Sequence, residues 1–121
     1  MAEGNQIFNK VDINQLVPEF IKYYLNLFVN QPNNLQTLFK PYTNLILNGV
    51  LYKENIIIPL MELSKQKIMF DINTLDYQPS GSRRCNIMLT GKYNQSTFIQ
   101  YLFLCFNNNQ WWIQEMIIRI I

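Results

Sequence analysis

The residues that most often carry catalysis are scarce in this chain, and their scarcity narrows the chemistry open to it. Among its 121 residues there is no histidine. Without imidazole there is no ordinary general base near neutral pH, no histidine-dependent serine or cysteine triad and few of the usual zinc sites. Asp71, Asp76, Tyr77, Tyr24 and Tyr101 remain as candidates, because a carboxylate and a tyrosine hydroxyl can run proton transfer when both are held out of water. Asp76 and Tyr77 adjoin the turn-forming Gln78-Pro79, where exposure is the expectation, so no catalytic residue is assigned and the chain is expected not to be an enzyme. A Gly-rich phosphate loop, paired cysteines and a tight acidic cluster are all missing from the sequence, so neither a cofactor nor a metal is expected.

Cys85 and Cys105 are the only cysteines and each lies inside an apolar run. Met1–Lys10 is polar and does not read as a secretion signal, so the thiols are expected to be reduced in an intracellular protein. No apolar run reaches the roughly 18–20 residues of a membrane span, and no membrane association is expected. Arg83-Arg84, helped by Lys65, Lys67 and Lys92, is the nearest thing to an anion-binding patch. With a net charge of +2 and both signs spread along the chain, it reads as a solvated loop pair, and no strong nucleic-acid binding is expected.

The elements that must position these residues follow from periodicity. Residues 1–11 show no period and form an expected loose arm; 12–121 form one domain, as the length permits only one core. From Asp12, the apolar residues Leu16, Phe20, Ile21, Tyr24, Leu25 and Phe28 recur every three or four positions. That predicts a helix to about Asn30, with Pro18 either in its first turn or splitting off a leading turn. Leu35, Leu38 and Phe39 predict a short second helix stopped by Pro41. Thr43–Leu47, Asn48-Gly49 and Val50–Tyr52 read as a tight hairpin, since both turn residues tolerate positive φ. Asn55 is an expected cap for a third helix, Ile56 to about Lys65.

Four long strand-like runs then follow at Lys67–Tyr77, Arg83–Tyr93, Thr97–Phe106 and Gln110–Ile121, joined by short turns that imply antiparallel neighbours. The expected class is α+β, with three N-terminal helices packed on one side of a curved antiparallel sheet. A sheet covered on one side should alternate apolar and polar residues, and these strands do so poorly. Phe98, Leu102, Leu104 and Phe106 alternate with Ile99, Tyr101, Phe103 and Cys105; Trp111, Ile113, Ile117 and Ile121 are read as opposing Trp112, Met116, Ile118 and Ile120. Three short helices cover one face of such a sheet, so a protein partner is expected on the other; a concave sheet wrapping both faces into its own core is the alternative.

The order helix, helix, hairpin, helix and four long strands resembles the cone-shaped fold of the nuclear transport factor 2 (NTF2-like) superfamily. FIKYYLNLF (Phe20–Phe28), LILNG (Leu45–Gly49), INTLDYQPSG (Ile72–Gly81), NIMLTGKY (Asn86–Tyr93) and MIIRII (Met116–Ile121) resemble its first helix, hairpin, successive strands and terminal strand. The resemblance is to the nucleocytoplasmic transport branch, whose members bind phenylalanine-glycine repeats of the nuclear pore and are not enzymes. It implies a dimer through the sheet face, with Arg119, Tyr101, Phe103, Trp112 and Ile117 at the interface, and a nucleoporin-repeat or partner surface at Leu47 and Asn48. The branch has two lines: a homodimer that imports Ran-GDP, and the small subunit that pairs with the large messenger-RNA export receptor. At the Ran-gripping positions this sequence has Asn48 and a carboxylate-free Tyr93–Thr97 loop, so the resemblance implies the export subunit, shuttling between nucleus, pore and cytoplasm, with Ran not expected as a partner. The compact length and the INTLDYQPSG stretch resemble the homodimeric importer, which stays the alternative, with a pocket enzyme of the same fold a remoter one.

Overall fold

The computed structural model describes residues 12–65, 70–81, 83–93 and 96–121. The expected arm at 1–11, Lys67 and the turn residues Asn94 and Gln95 lie outside the described residues, as does the side chain of Asp71.

Helix α1, Ile13–Asn30, opens on Asp12, whose side chain accepts from the Asn14 N–H at 3.0 Å and so satisfies one of the free donors of the first turn. Its buried residues extend the predicted stripe with Ile13, Val17 and Leu27. Pro18 neither starts nor splits the helix but lies inside it. The acceptor it deprives of a donor is the Asn14 carbonyl one turn earlier, on an exposed residue that water can reach, which limits the cost. The second helix is a 3-10 helix, Pro32–Leu38, that sinks Leu35 and Leu38 into the core. Strand β1, Phe39–Leu47, begins directly after it, four residues before the predicted start, and absorbs Pro41 in an irregular stretch between Phe39 and Asn44. Asn48 (φ 50°) and Gly49 (φ 86°) turn the chain into β2, Val50–Tyr52. Helix α2, Ile57–Ser64, follows the hairpin, so the helical elements do not all precede the sheet. Asn55 does not cap it: the residue before the helix is Ile56, no side chain caps it, and Asn55 turns the chain with φ 53°.

Strands β3 (Phe70–Pro79), β4 (Arg84–Tyr93), β5 (Ser96–Asn107) and β6 (Gln110–Ile120) form the predicted meander. The six strands make one sheet in the order β2-β1-β6-β5-β4-β3. The sheet is mixed, since β1 and β6 run parallel. Five elements separate these two strands in the chain, which leaves room for the return that a parallel pair needs.

One face of the sheet carries the core: Leu45 of β1, Met116 and Ile118 of β6, Phe98, Leu102 and Leu104 of β5, and Cys85, Ile87 and Leu89 of β4 pack with the α1 stripe and with Leu60 and Leu63 of α2. Burying these side chains contributes about 1.5–3 kcal/mol each.

Candidate partner-binding face

Which side chains stand on the other face is set by register. In β6 the pairing jumps from Phe103↔Glu115 to Leu104↔Ile113, so Gln114 is an extra residue with no partner on β5. This bulge reverses the alternation. Trp111 and Ile113 point to the core before it, and Met116 and Ile118 after it. The grouping expected from strict alternation is therefore wrong for the second half of β6: Ile117 belongs with Trp112, and Met116 and Ile118 with Trp111. All five residues assigned to an interface, Trp112, Ile117, Arg119, Tyr101 and Phe103, consequently stand on one face, the one the helices leave open.

Across that face the ladder aligns Leu51, Ile46, Ile117, Tyr101, Met88 and Asp76, one from each strand in spatial order. At ~4.8 Å per strand the row spans about 24 Å. Leu51 is 52% exposed and Tyr101 39%. A row on one side reads Asn44, Glu115, Phe103, Asn86 and Gln78; on the other side it reads Arg119, Ile99, Thr90 and Thr74, with a hydroxyl–hydroxyl bond between the two threonines. The central band is apolar from Leu51 to Met88, and its flanks are mainly polar, with Phe103 and Ile99 the apolar members, an arrangement that resembles the core and rim of a protein interface.

Its relief suits side-chain docking. A hollow of about 310 Å³ beside the bulge is lined by Arg84, Asn86, Phe103, Gln114 and Glu115, among others. A smaller one, about 190 Å³, lies among Asp76, Gln78, Met88 and Tyr101. At one end of the face Lys40 Nζ sits 4.0 Å from the Trp112 ring centroid, and the Trp112 indole N–H donates to the Asn107 carbonyl at 3.0 Å. Cys105 lies between Trp112 and Arg84 in the register. Burial pushes its thiol up, and the Lys40 and Arg84 cations only partly offset that. Among the described residues Arg119 forms no ion pair with a carboxylate.

Leu47 and Asn48, the expected repeat-binding surface, are placed differently from one another. Leu47 is half-buried against the core, and both residues line a groove of about 470 Å³ with Tyr52, Ile58, Pro59, Glu62 and Leu63. Asn48 is exposed, but its side-chain oxygen accepts from the Ile120 N–H at 2.8 Å and its own N–H donates to the Ile118 carbonyl at 2.9 Å.

The proton-transfer candidates are scattered. Tyr24 is buried and donates to Gln100 Oε1 at 2.8 Å; burial pushes its phenol above the ordinary tyrosine range, so it stays protonated. Tyr77 donates to Asn14 Oδ1 at 2.6 Å on the core side of β3, whereas Asp76 is exposed on the open side. Asp76 and Tyr101 share a row but are two strands apart, about 10 Å. No desolvated carboxylate–tyrosine pair forms among the described side chains, nor any group of three acidic or cysteine side chains able to hold a metal.

Sequence reasoning missed Gln100, a fully buried amide on the core face whose Nε2 has no hydrogen-bond partner, and Thr43, whose buried hydroxyl donates to the Ile113 carbonyl at 2.7 Å. An amide in the middle of an apolar strand was the available signal for the first.

Comparison with known proteins accords with this architecture. The structure of nuclear transport factor 2 (Ntf2) from Cryptosporidium parvum matches with a TM-score of 0.79 at 22% identity, over 89% of this chain and 94% of that one. An NTF2-like protein of unknown function from Pseudomonas putida matches with a TM-score of 0.79 at 6% identity, over 91% and 87% of the two chains. A protein of the DUF3225 family from Pectobacterium atrosepticum matches with a TM-score of 0.76 at 13% identity, over 93% and 94%. At such identities the likeness is one of fold. A search of curated proteins finds no match. The Nuclear transport factor 2 (NTF2) domain matches residues 16–120, nearly the whole of the described fold, and the chain belongs to that family.

Proposed function

We propose that this protein is a non-enzymatic nucleocytoplasmic transport factor: the small subunit of a heterodimeric messenger-RNA export receptor, joined to the matching domain of the large subunit through its open sheet face. The observation that carries the reading is the continuous row Leu51, Ile46, Ile117, Tyr101, Met88 and Asp76 on the side of the sheet that no helix covers. A band apolar across five of the six strands and closed by Asp76 on β3 is costly to leave in water, and a second sheet is the surface whose curvature and spacing fit it. The neutral Asn48, and a net charge of +2, favour this line over a carrier that must grip a cationic partner through carboxylates. The scattered Asp and Tyr side chains favour binding over catalysis. On this reading the protein shuttles through the nuclear pore, and the groove beside Leu47 is where repeat side chains are sought first.

A homodimeric carrier of Ran-GDP is the second reading, favoured by the fold match to Ntf2 from Cryptosporidium parvum. Affinity purification from the source cell with mass spectrometry separates the two. Recovery of a large chain bearing an NTF2 domain supports the export subunit; recovery of the protein itself together with Ran overturns it.

A further inference from the structure

The hairpin turn sits in register with Arg119. In the parallel ladder Leu47 lies opposite Ile118, so the next residue, Asn48, falls opposite Arg119. A regular strand residue in that place would give its N–H to the Ile118 carbonyl and take the Ile120 N–H on its own carbonyl. Asn48 makes the first bond with its backbone, at 2.9 Å. The second cannot follow in the same way, because φ of 50° has already swung the chain into the turn. Its side-chain oxygen makes it instead, at 2.8 Å. An asparagine is suited to both demands: it tolerates the left-handed region and carries a carbonyl that can stand in for the backbone. The bonds flank Arg119 on either side, and the guanidinium reaches over the turn, with Nη1 4.0 Å from where a Cβ at Gly49 would stand.

We infer that Asn48 is a positioning residue, continuing the β1–β6 ladder through its side chain so that Arg119 is held over the hairpin turn on the open side of the sheet. What Arg119 meets there rests on the proposed sheet-face binding; the positioning does not, and it can be read on the chain alone. Asn48 thereby frames the surface around Arg119 as well as lining the groove beside Leu47.

Two full-length variants test it by NMR. Asn48→Gly keeps the positive φ without strain and removes only the acceptor. Asn48→Asp keeps the acceptor and adds a charge beside the guanidinium. In Asn48→Gly the Ile120 amide is expected to exchange about tenfold faster, and the Arg119 Nε–Hε group to lose order, while β4 amides exchange as before. In Asn48→Asp the Ile120 protection is expected to be retained, and the Arg119 Hε resonance to shift and to become sensitive to salt. Unchanged Ile120 exchange and Arg119 order in Asn48→Gly would overturn the inference, as would loss of Ile120 protection in Asn48→Asp. Failure to find a sheet-face partner would count against the proposed function alone.

Discussion

The buried pair Tyr24–Gln100 offers a direct test of whether the inside of this fold is core or pocket. Gln100 Oε1 accepts from Tyr24 at 2.8 Å, both residues are fully buried, and Gln100 Nε2 has no partner. Tyr24→Phe removes the one donor and strands both amide atoms, which should cost about 1–3 kcal/mol. Gln100→Leu strands the Tyr24 hydroxyl at a comparable cost but also removes the orphaned Nε2, so its net effect should be smaller, about 1 kcal/mol or less. With both changes no polar atom is left stranded. The double variant should lie within about 1 kcal/mol of the parent, on either side, and the cycle should show a coupling of about 1–2 kcal/mol. Urea unfolding of the four proteins at equal concentration supplies the numbers, with a constant m-value as the check that the denatured state is unchanged. A double variant destabilised by the full sum of the singles would refute the reasoning, because it would mean that Tyr24 and Gln100 act independently and that each has another partner in the interior.

Placing a charge in the centre of the open face, as in Tyr101→Asp, should leave the thermal midpoint within a few degrees of the parent while abolishing capture of the partner; retention of capture would remove the face from the argument. In the two-residue turn between β5 and β6, Asn108 and Asn109 have φ of 54° and 61°, so Asn109→Gly should raise stability by a few tenths to about 1 kcal/mol in urea unfolding. Burial pushes the Cys85 thiol up to about 11, from 9 as its ordinary value. The folded chain therefore keeps a proton that the unfolded chain releases as pH rises past about 9, and the thiol's contribution, complete below that pH, is lost between about 9 and 11. Cys85→Ala should accordingly lose less stability than the parent across that window in pH-dependent denaturation.

Most of the fold was legible because its signals are local. The α1 stripe, the Asn48-Gly49 turn and the meander are each written in a few adjacent residues. Three features depend on what is distant. The parallel β1–β6 pair joins segments far apart in the chain, and no turn between them announces its direction. The start of β1 at Phe39 was hidden by Pro41, which halts a helix but is tolerated in a strand where the register is already irregular. The bulge at Gln114 leaves no mark in the composition of β6, yet it decides the face of every residue after it. The five residues assigned to an interface by the resemblance stand on one face only because of the bulge, and strict alternation would have divided Trp112 from Ile117.

The bulge also bears on why the protein reads as a binder. Had β6 kept one phase along its length, Ile117 and Arg119 would have pointed at α1, and Met116 and Ile118 at solvent, an arrangement that buries a guanidinium with no carboxylate among the described residues to meet it. By inserting Gln114 the strand places its arginine and Glu115 on the open side while both halves still contribute large apolar side chains to the core, Trp111 and Ile113 before the bulge, Met116 and Ile118 after it. The core is thus completed by α1, α2 and one face of the sheet, and the interior pair Tyr24–Gln100 is walled in apolar residues. The remaining unsatisfied surface is the outer one, apolar along its centre and charged at Asp76, Glu115, Arg84 and Arg119 around it. Charges of both signs bordering an apolar band fix the register of whatever docks there more than they add to its affinity. That division of labour is what the proposed pairing with a second sheet requires.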